Sequence, residues 1–219
     1  TALVALIMKT AGLDPTVIVG TKLKEFGEKN FRLGRGPYLV LEADEWRASF
    51  LRYSPTFVIV TNIDKEHLDF YKNLKNVQAS FLKFLKRARP NGIFVLNRDD
   101  KNLFSLRRAV EKIAHEQNIK IIWYSLREKA AGKVKRVIKI PGSHNVSNAL
   151  AAFTLGSALG IKERVLLRAI GRYRGAWRRM EYRGKLKIKN GKWKMPVYDD
   201  YAHHPTEIKA TLKAFKEKF

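Results

Sequence analysis

Short unbroken apolar runs alternate along this chain with longer stretches of helical periodicity. Val17-Ile18-Val19 after Pro15-Thr16, Tyr38 to Leu41, Phe57 to Val60 running into Thr61-Asn62, Ile93 to Leu96 and Ile119 to Tyr124 predict buried strands. Leu3, Leu6, Ile7 and Ala11 predict a first helix over Thr1 to Ala11, closed by Gly12. Val77, Phe81, Phe84 and Leu85 share one face of a helix over Leu74 to Arg87. Further helices are predicted near Leu103 to Gln117, Asn145 to Leu159 and Lys162 to Ile170. Thr21 to Gly36 reads as a loop, and Arg127 to Lys139 as a basic stretch ending at Pro141-Gly142. This alternation predicts an α/β fold, a mostly parallel sheet flanked by helices on both faces.

The pattern changes after Arg179. Lys185 to Lys189 alternates, Asn190-Gly191 follows, and Trp193 and Met195 resume the alternation, which predicts a hairpin with a type I′ turn. Val197 to Asp200 continues as a strand, and a last helix is expected from Thr206 as N-cap, with Pro205 before it. Residues 180–219 therefore read as the opening of a second domain.

Charge changes the picture more than length does. Lys and Arg number 44 against 20 Asp and Glu in 219 residues, a net charge of +24. That points to an anionic partner (nucleic acid, an anionic membrane or phosphorylated metabolites) or to a solvated surface in a lysine-rich proteome. The charge is spread along the chain and forms no tail. The absence of cysteine excludes a disulfide scaffold, a thiolate zinc site and a catalytic thiol, and fits a reducing compartment. The longest apolar run, Ala2 to Met8, is far shorter than the ~20 residues of a membrane helix, so no membrane partner is expected. Both ends fall inside helical patterns, so the sequence reads as part of a longer protein.

In parallel sheets ligands bind at the carboxyl ends of the strands, and the polar clusters fall there. Glu42, Asp44 and Glu45 follow the second strand. Such carboxylates suit a hard cation such as Mg²⁺, or form a solvated acidic turn. Thr61 to Asp69 follows the third strand. Its His67 is a metal ligand, a general acid or base, or a surface residue of a loop capped by Asp64. Asn145 and Asn148, one turn apart, present amides able to match an adenine edge or simply fill a first helical turn. Arg178-Arg179 offers a phosphate clamp. Asp199-Asp200-Tyr201-Ala202-His203-His204-Pro205 places paired acids and paired histidines at one strand end, to bind metal, nucleotide or substrate, or as a helix-entry loop.

Together and in this order these strings resemble the Mur ligases of peptidoglycan synthesis. The resemblance rests on Gly20 to Gly36, Glu42-Ala43-Asp44-Glu45, Val60 to Asp64 with Glu66-His67-Leu68-Asp69, Pro141-Gly142 with His144-Asn145-Val146 and Asn148 to Ala152, Gly175 with Arg178-Arg179, and Asp199 to Ile208. It implies residues 1–179 as the central ATP-binding domain, beginning just past the family's phosphate loop, and 180–219 as the start of the C-terminal domain. It implies a cytoplasmic enzyme that uses ATP and Mg²⁺ to join an amine to the lactyl carboxylate of UDP-N-acetylmuramate through an acyl phosphate. Its partners would be those small molecules, with no membrane and no nucleic acid. The oligomeric state is not implied. Glu42 and His67 would hold Mg²⁺. His144, Asn145 and Asn148 would lie at the adenine, Arg179 at ATP phosphate and Asp200 near the nucleotide. Arg179, Tyr201 and His203 would act on the substrates. Such a fragment alone would be inactive.

Some positions depart from the family. Trp46-Arg47 replaces Ser-Asp or Tyr-Asp, Phe31 replaces a small residue, and the segment between Tyr124 and Pro141 is short. Ala48 to Leu51 with Ser54-Pro55 follows members that add L-alanine, while Trp46 matches members that attach a preformed tripeptide. A reading from another class, a basic nucleic-acid-binding module, draws on the charge and the Lys-aromatic interleaving near Trp193 but leaves the acidic and His-Asn clusters unexplained.

Overall fold

A computed structural model describes residues 1–188 and 193–219. The elements follow in chain order: α1 (Ala2–Thr10), β1 (Thr16–Leu23), β2 (Lys29–Arg32), β3 (Leu39–Leu41), β4 (Phe57–Val60), α2 (Leu68–Tyr71), α3 (Leu74–Lys86), β5 (Ile93–Asn97), α4 (Lys101–Phe104), α5 (Arg107–Glu116), β6 (Lys120–Tyr124), α6 (Lys129–Val137), α7 (Ser143–Ala158), α8 (Glu163–Arg172), β7 (Glu181–Ile188), β8 (Trp193–Asp199) and α9 (Pro205–Lys218). Helix α1 ends as its sequence predicts. Gly12 takes φ +80°, and the amides of Gly12 and Leu13 reach back to the carbonyls of Lys9 and Met8, which satisfies the last turn.

β4, β5 and β6 form a parallel sheet in that spatial order. Alternation along the central strand β5 shows why it is covered on both faces. Phe94 and Leu96 enter a core with Val77, Phe84, Val110 and Ile113 of α3 and α5. Val95, between them, enters a second core with Leu3, Ile7, Leu150 and Leu166 of α1, α7 and α8. With period two, a strand apolar at every position needs a helix layer on each side. The opposite side of α1 packs Ala5 and Met8 on Val17, Val19 and Val40 of a second sheet. There β1 runs parallel to β3 and antiparallel to β2.

Several expectations need correction. The parallel strands divide between these two sheets, since β3 and β4 do not pair. Residues 29–32, expected to be loop, form strand β2, whose burial pattern carries no apolar face to betray it. The helix expected over 103–117 is two helices. Asp100 caps the first through the Leu103 amide (2.7 Å), and a turn at Ser105-Leu106 separates the second. The basic stretch after Arg127 holds a full helix, α6, because Ala131 and Val134, three apart, bury one face while the cations stay outside. The last helix is capped two residues earlier than expected. His204 is its N-cap, accepting from the Thr206 amide at 3.4 Å, and Pro205 is its first residue. The pairing of β7 with β8 is the expected hairpin, but its Asn190-Gly191 turn lies outside the described residues. Among the described residues no helix is long and apolar enough to cross a membrane.

Candidate active site at the strand tips

The turn after β3 and the loop after β4 meet at the carboxyl end of the sheets. Asp44 shapes its own turn, with Oδ1 accepting from the Trp46 amide (2.6 Å) and its carbonyl accepting from the Ser49 hydroxyl (2.6 Å). The carbonyl of Glu45 accepts from the Tyr71 hydroxyl at 2.6 Å, which ties this turn to α2. Glu45 Oε1 then lies 3.5 Å from His67 Nε2, and the Trp46 ring stands edge-on to the imidazole at 4.9 Å. Burial pushes the Glu45 carboxyl above its usual range; Asp44 and Glu66 add to that rise, while its own backbone amide and His67 oppose it. The backbone here is strained. Arg47 (φ 47°), Ala48 (φ 56°) and His67 (φ 53°) are all left-handed without being glycine, a conformation that persists only where surrounding contacts fix it.

Asp44, Glu45 and His67 each offer a ligand atom within 4.8 Å of the others. Two carboxylates and one imidazole at that spacing fit a hard divalent cation that keeps part of its water shell. Glu42 is not in this group. Its Oε1 faces Gly20, where a Cβ would come within 3.2 Å of it. The structure thus gathers His67 with the later acids of the turn, and sequence spacing alone does not distinguish the three. Asp64, the helix cap in the alternative reading of this loop, is not one. His67 is the N-cap of α2, and Asp64 instead accepts from its neighbour's amide and from the Thr206 hydroxyl of α9, each at 2.7 Å.

The C-terminal residues close the other side. Arg179 gives two N–H bonds to Glu207 Oε1, at 3.2 and 3.3 Å. Burial opposes ionisation of Glu207, but Arg179 and the His203 amide outweigh it and hold the carboxyl below its usual range. Arg178, with φ 54°, reaches Asp199 at 3.2 Å and lies 5.2 Å from the Tyr201 ring, with Arg179 at 6.0 Å. Asp200 spends both oxygens on backbone amides, those of Met180 (2.7 Å) and Ala202 (2.8 Å), and so fixes the turn between the arginines and the histidines. His203 is exposed, with Nδ1 3.0 Å from the Tyr201 carbonyl and Nε2 3.9 Å from Glu66. A carbonyl only accepts, so Nδ1 carries the hydrogen, and in the neutral ring Nε2 is left to take a proton.

His144 lies at the start of α7, where Gly142 takes φ +102°; a Cβ there would press on the His144 ring at 2.7 Å and on Ala214 at 2.8 Å. Burial lowers the His144 pKa, with Arg179 adding to this and Asp200 opposing it, so these three predicted residues share one electrostatic neighbourhood. Asn145 is half-buried and donates to the Pro141 carbonyl (2.6 Å), while Asn148 is exposed to solvent. Glu66, Asp64, Thr206 and Glu207 were not singled out for the site in the sequence. Their only sequence signal is their place within the two motif strings; what each touches depends on how residues far apart in the chain meet.

The Mur ligase middle domain model matches residues 28–156. A UDP-N-acetylmuramate–L-alanine ligase of Caldicellulosiruptor bescii is 38% identical over 240 residues, covering 99% of this chain and 50% of its own length. A crystal structure of the UDP-N-acetylmuramate–alanine ligase of Thermotoga maritima superimposes with a TM-score of 0.74 at 26% identity, covering all of this chain and 51% of that one. A MurF ligase of the same organism, solved in complex with ADP, shares the fold at a TM-score of 0.68 and 14% identity, over 97% of this chain and 52% of its own. The chain spans about half the length of the curated relatives it matches.

Proposed function

The chain belongs to the Mur ligase family, and from that premise we propose that it is the part of an ATP-dependent ligase that joins L-alanine to UDP-N-acetylmuramate in peptidoglycan precursor synthesis. Residues 1–179 serve as its central ATP-binding domain and 180–219 open its C-terminal domain. The observation that carries this reading is the 38% identity, along 99% of the chain, to an enzyme of that name. The gathering of carboxylates and His67 at the strand tips supports it.

The chemistry is the meeting of two anions. The lactyl carboxylate attacks the γ-phosphorus of ATP and ADP leaves; the alanine amine then attacks the acyl carbon, phosphate leaves, and the amine gives up a proton. Mg²⁺, held by His67 with Glu42 or the adjacent acids, would neutralise triphosphate charge. Arg179 has five N–H donors and places two on Glu207, which leaves donors that would serve phosphate oxygen at the site. Asn145, Asn148 and His144 border the adenine and Asp200 holds the nucleotide-side turn. His203 Nε2 takes the amine proton, and Tyr201, packed against both arginines, lines the substrate side. A second reading, ligation of a preformed tripeptide, draws on Trp46, whose ring stands against His67.

A full-length ligase carrying this chain, given ATP, Mg²⁺, UDP-N-acetylmuramate and L-alanine, is expected to release one ADP and one phosphate per amide formed. The 219 residues alone contain no Gly-Lys-Thr or Gly-Lys-Ser to cradle a triphosphate, and are expected to form none. Turnover with tripeptide but not L-alanine selects the second reading. Absence of ATP-dependent turnover with either contradicts both.

A further inference from the structure

The loop after β4 is fixed on one side by the sheet. Asn97 donates to the Thr61 carbonyl (2.8 Å), Asn102 to the Ile63 carbonyl (2.7 Å), and the Ile63 amide reaches Asp100 (3.3 Å). On its other side it meets α9, 142 residues away in sequence. The Thr206 hydroxyl donates to Asp64 Oδ2 at 2.7 Å, and His204 Nδ1 stands 3.9 Å from the same oxygen. The next residue, Glu207, holds Arg179. One helical turn of α9 therefore grips both the arginine and the loop that, three residues past Asp64, carries His67.

We propose that Thr206 is a positioning residue of the ligation reaction, its hydroxyl on Asp64 setting the separation between Arg179 and His67. The proposal rests on the function proposed above. Thr206 touches neither substrate nor nucleotide in this account, and Asp64 is not a metal ligand; the pair works through the groups each holds. A hydroxyl is needed for it, while the methyl group of Thr206 is not, so serine serves and valine, which keeps the shape, does not.

The chain has no cysteine, so spin labels can be placed at Lys75→Cys on α3 and Lys213→Cys on α9, both exposed. Pulsed EPR on the 219-residue chain is expected to give one narrow distance distribution, kept by Thr206→Ser and broadened by Thr206→Val and by Asp64→Ala, with the double variant no broader than either. In the full-length ligase, Thr206→Val is expected to lower kcat by about 10- to 100-fold, with KM for ATP unchanged and with Thr206→Ser restoring the rate. A Thr206→Val distribution identical to the parent overturns the proposal. The distance measurement needs no turnover, so it stands or falls separately from the ligase reading: a broadened distribution with no ligation by the parent enzyme would refute that reading and leave the contact intact.

Discussion

Replacing Arg179 by alanine is expected to lower kcat for ATP-dependent ligation in the full-length enzyme by about 10²- to 10³-fold, the usual cost of losing one preorganised donor to developing transition-state charge. The side chain is held by Glu207 through two N–H bonds, so the guanidinium is oriented before any ligand arrives. Arg179→Lys is expected to restore little of the rate, because an ammonium is a point charge and cannot serve Glu207 and a phosphate oxygen together in the planar fork. Steady-state rates with saturating ATP check this. A variant that raises KM for ATP while keeping kcat would make Arg179 a binding group only.

Phe94→Ala is expected to destabilise the 219-residue chain by about 3–5 kcal/mol, the range for removing a fully buried phenylalanine from a packed core. Phe94 has no exposed surface, and its strand is paired on both sides, so neither neighbour can move in to fill the space. Thermal unfolding followed by circular dichroism is expected to show a midpoint lower by something on the order of 10 °C. A shift no larger than that of a surface substitution would mean that the two-faced packing of β5 is not what holds the sheet.

The parallel sheet was legible in the sequence because each of its strands is a short apolar run, and such runs stand out wherever both faces are buried. The same logic failed for Lys29 to Arg32, which pairs at a sheet edge with its side chains largely in water and so shows no pattern. It failed for α6 because six cations from Arg127 to Lys139 mask a two-residue apolar contact. At the site, the residue types and the strand ends were readable, since ligand-binding residues gather at strand tips. Which acid turns toward His67 was not. That choice is made by local turn chemistry: Asp44 bonding the Trp46 amide and Tyr71 holding the Glu45 carbonyl. The partnership of Asp64 with Thr206 was also unreadable, because a hydrogen bond across 142 residues leaves no trace in local spacing. Both residues looked like helix caps, a role their side chains suit equally well.

Central to the proposed chemistry is a divalent cation held at His67 by acids of the turn after β3. Mn²⁺ binding to the 219-residue chain, read from the loss of the free-ion EPR signal, tests this without nucleotide or turnover. The parent chain is expected to bind Mn²⁺, His67→Ala to weaken binding by about 10-fold or more, and Glu42→Gln and Glu45→Gln, measured side by side, to reveal which carboxylate shares the ion. Equal affinity in the parent and in His67→Ala would contradict the account.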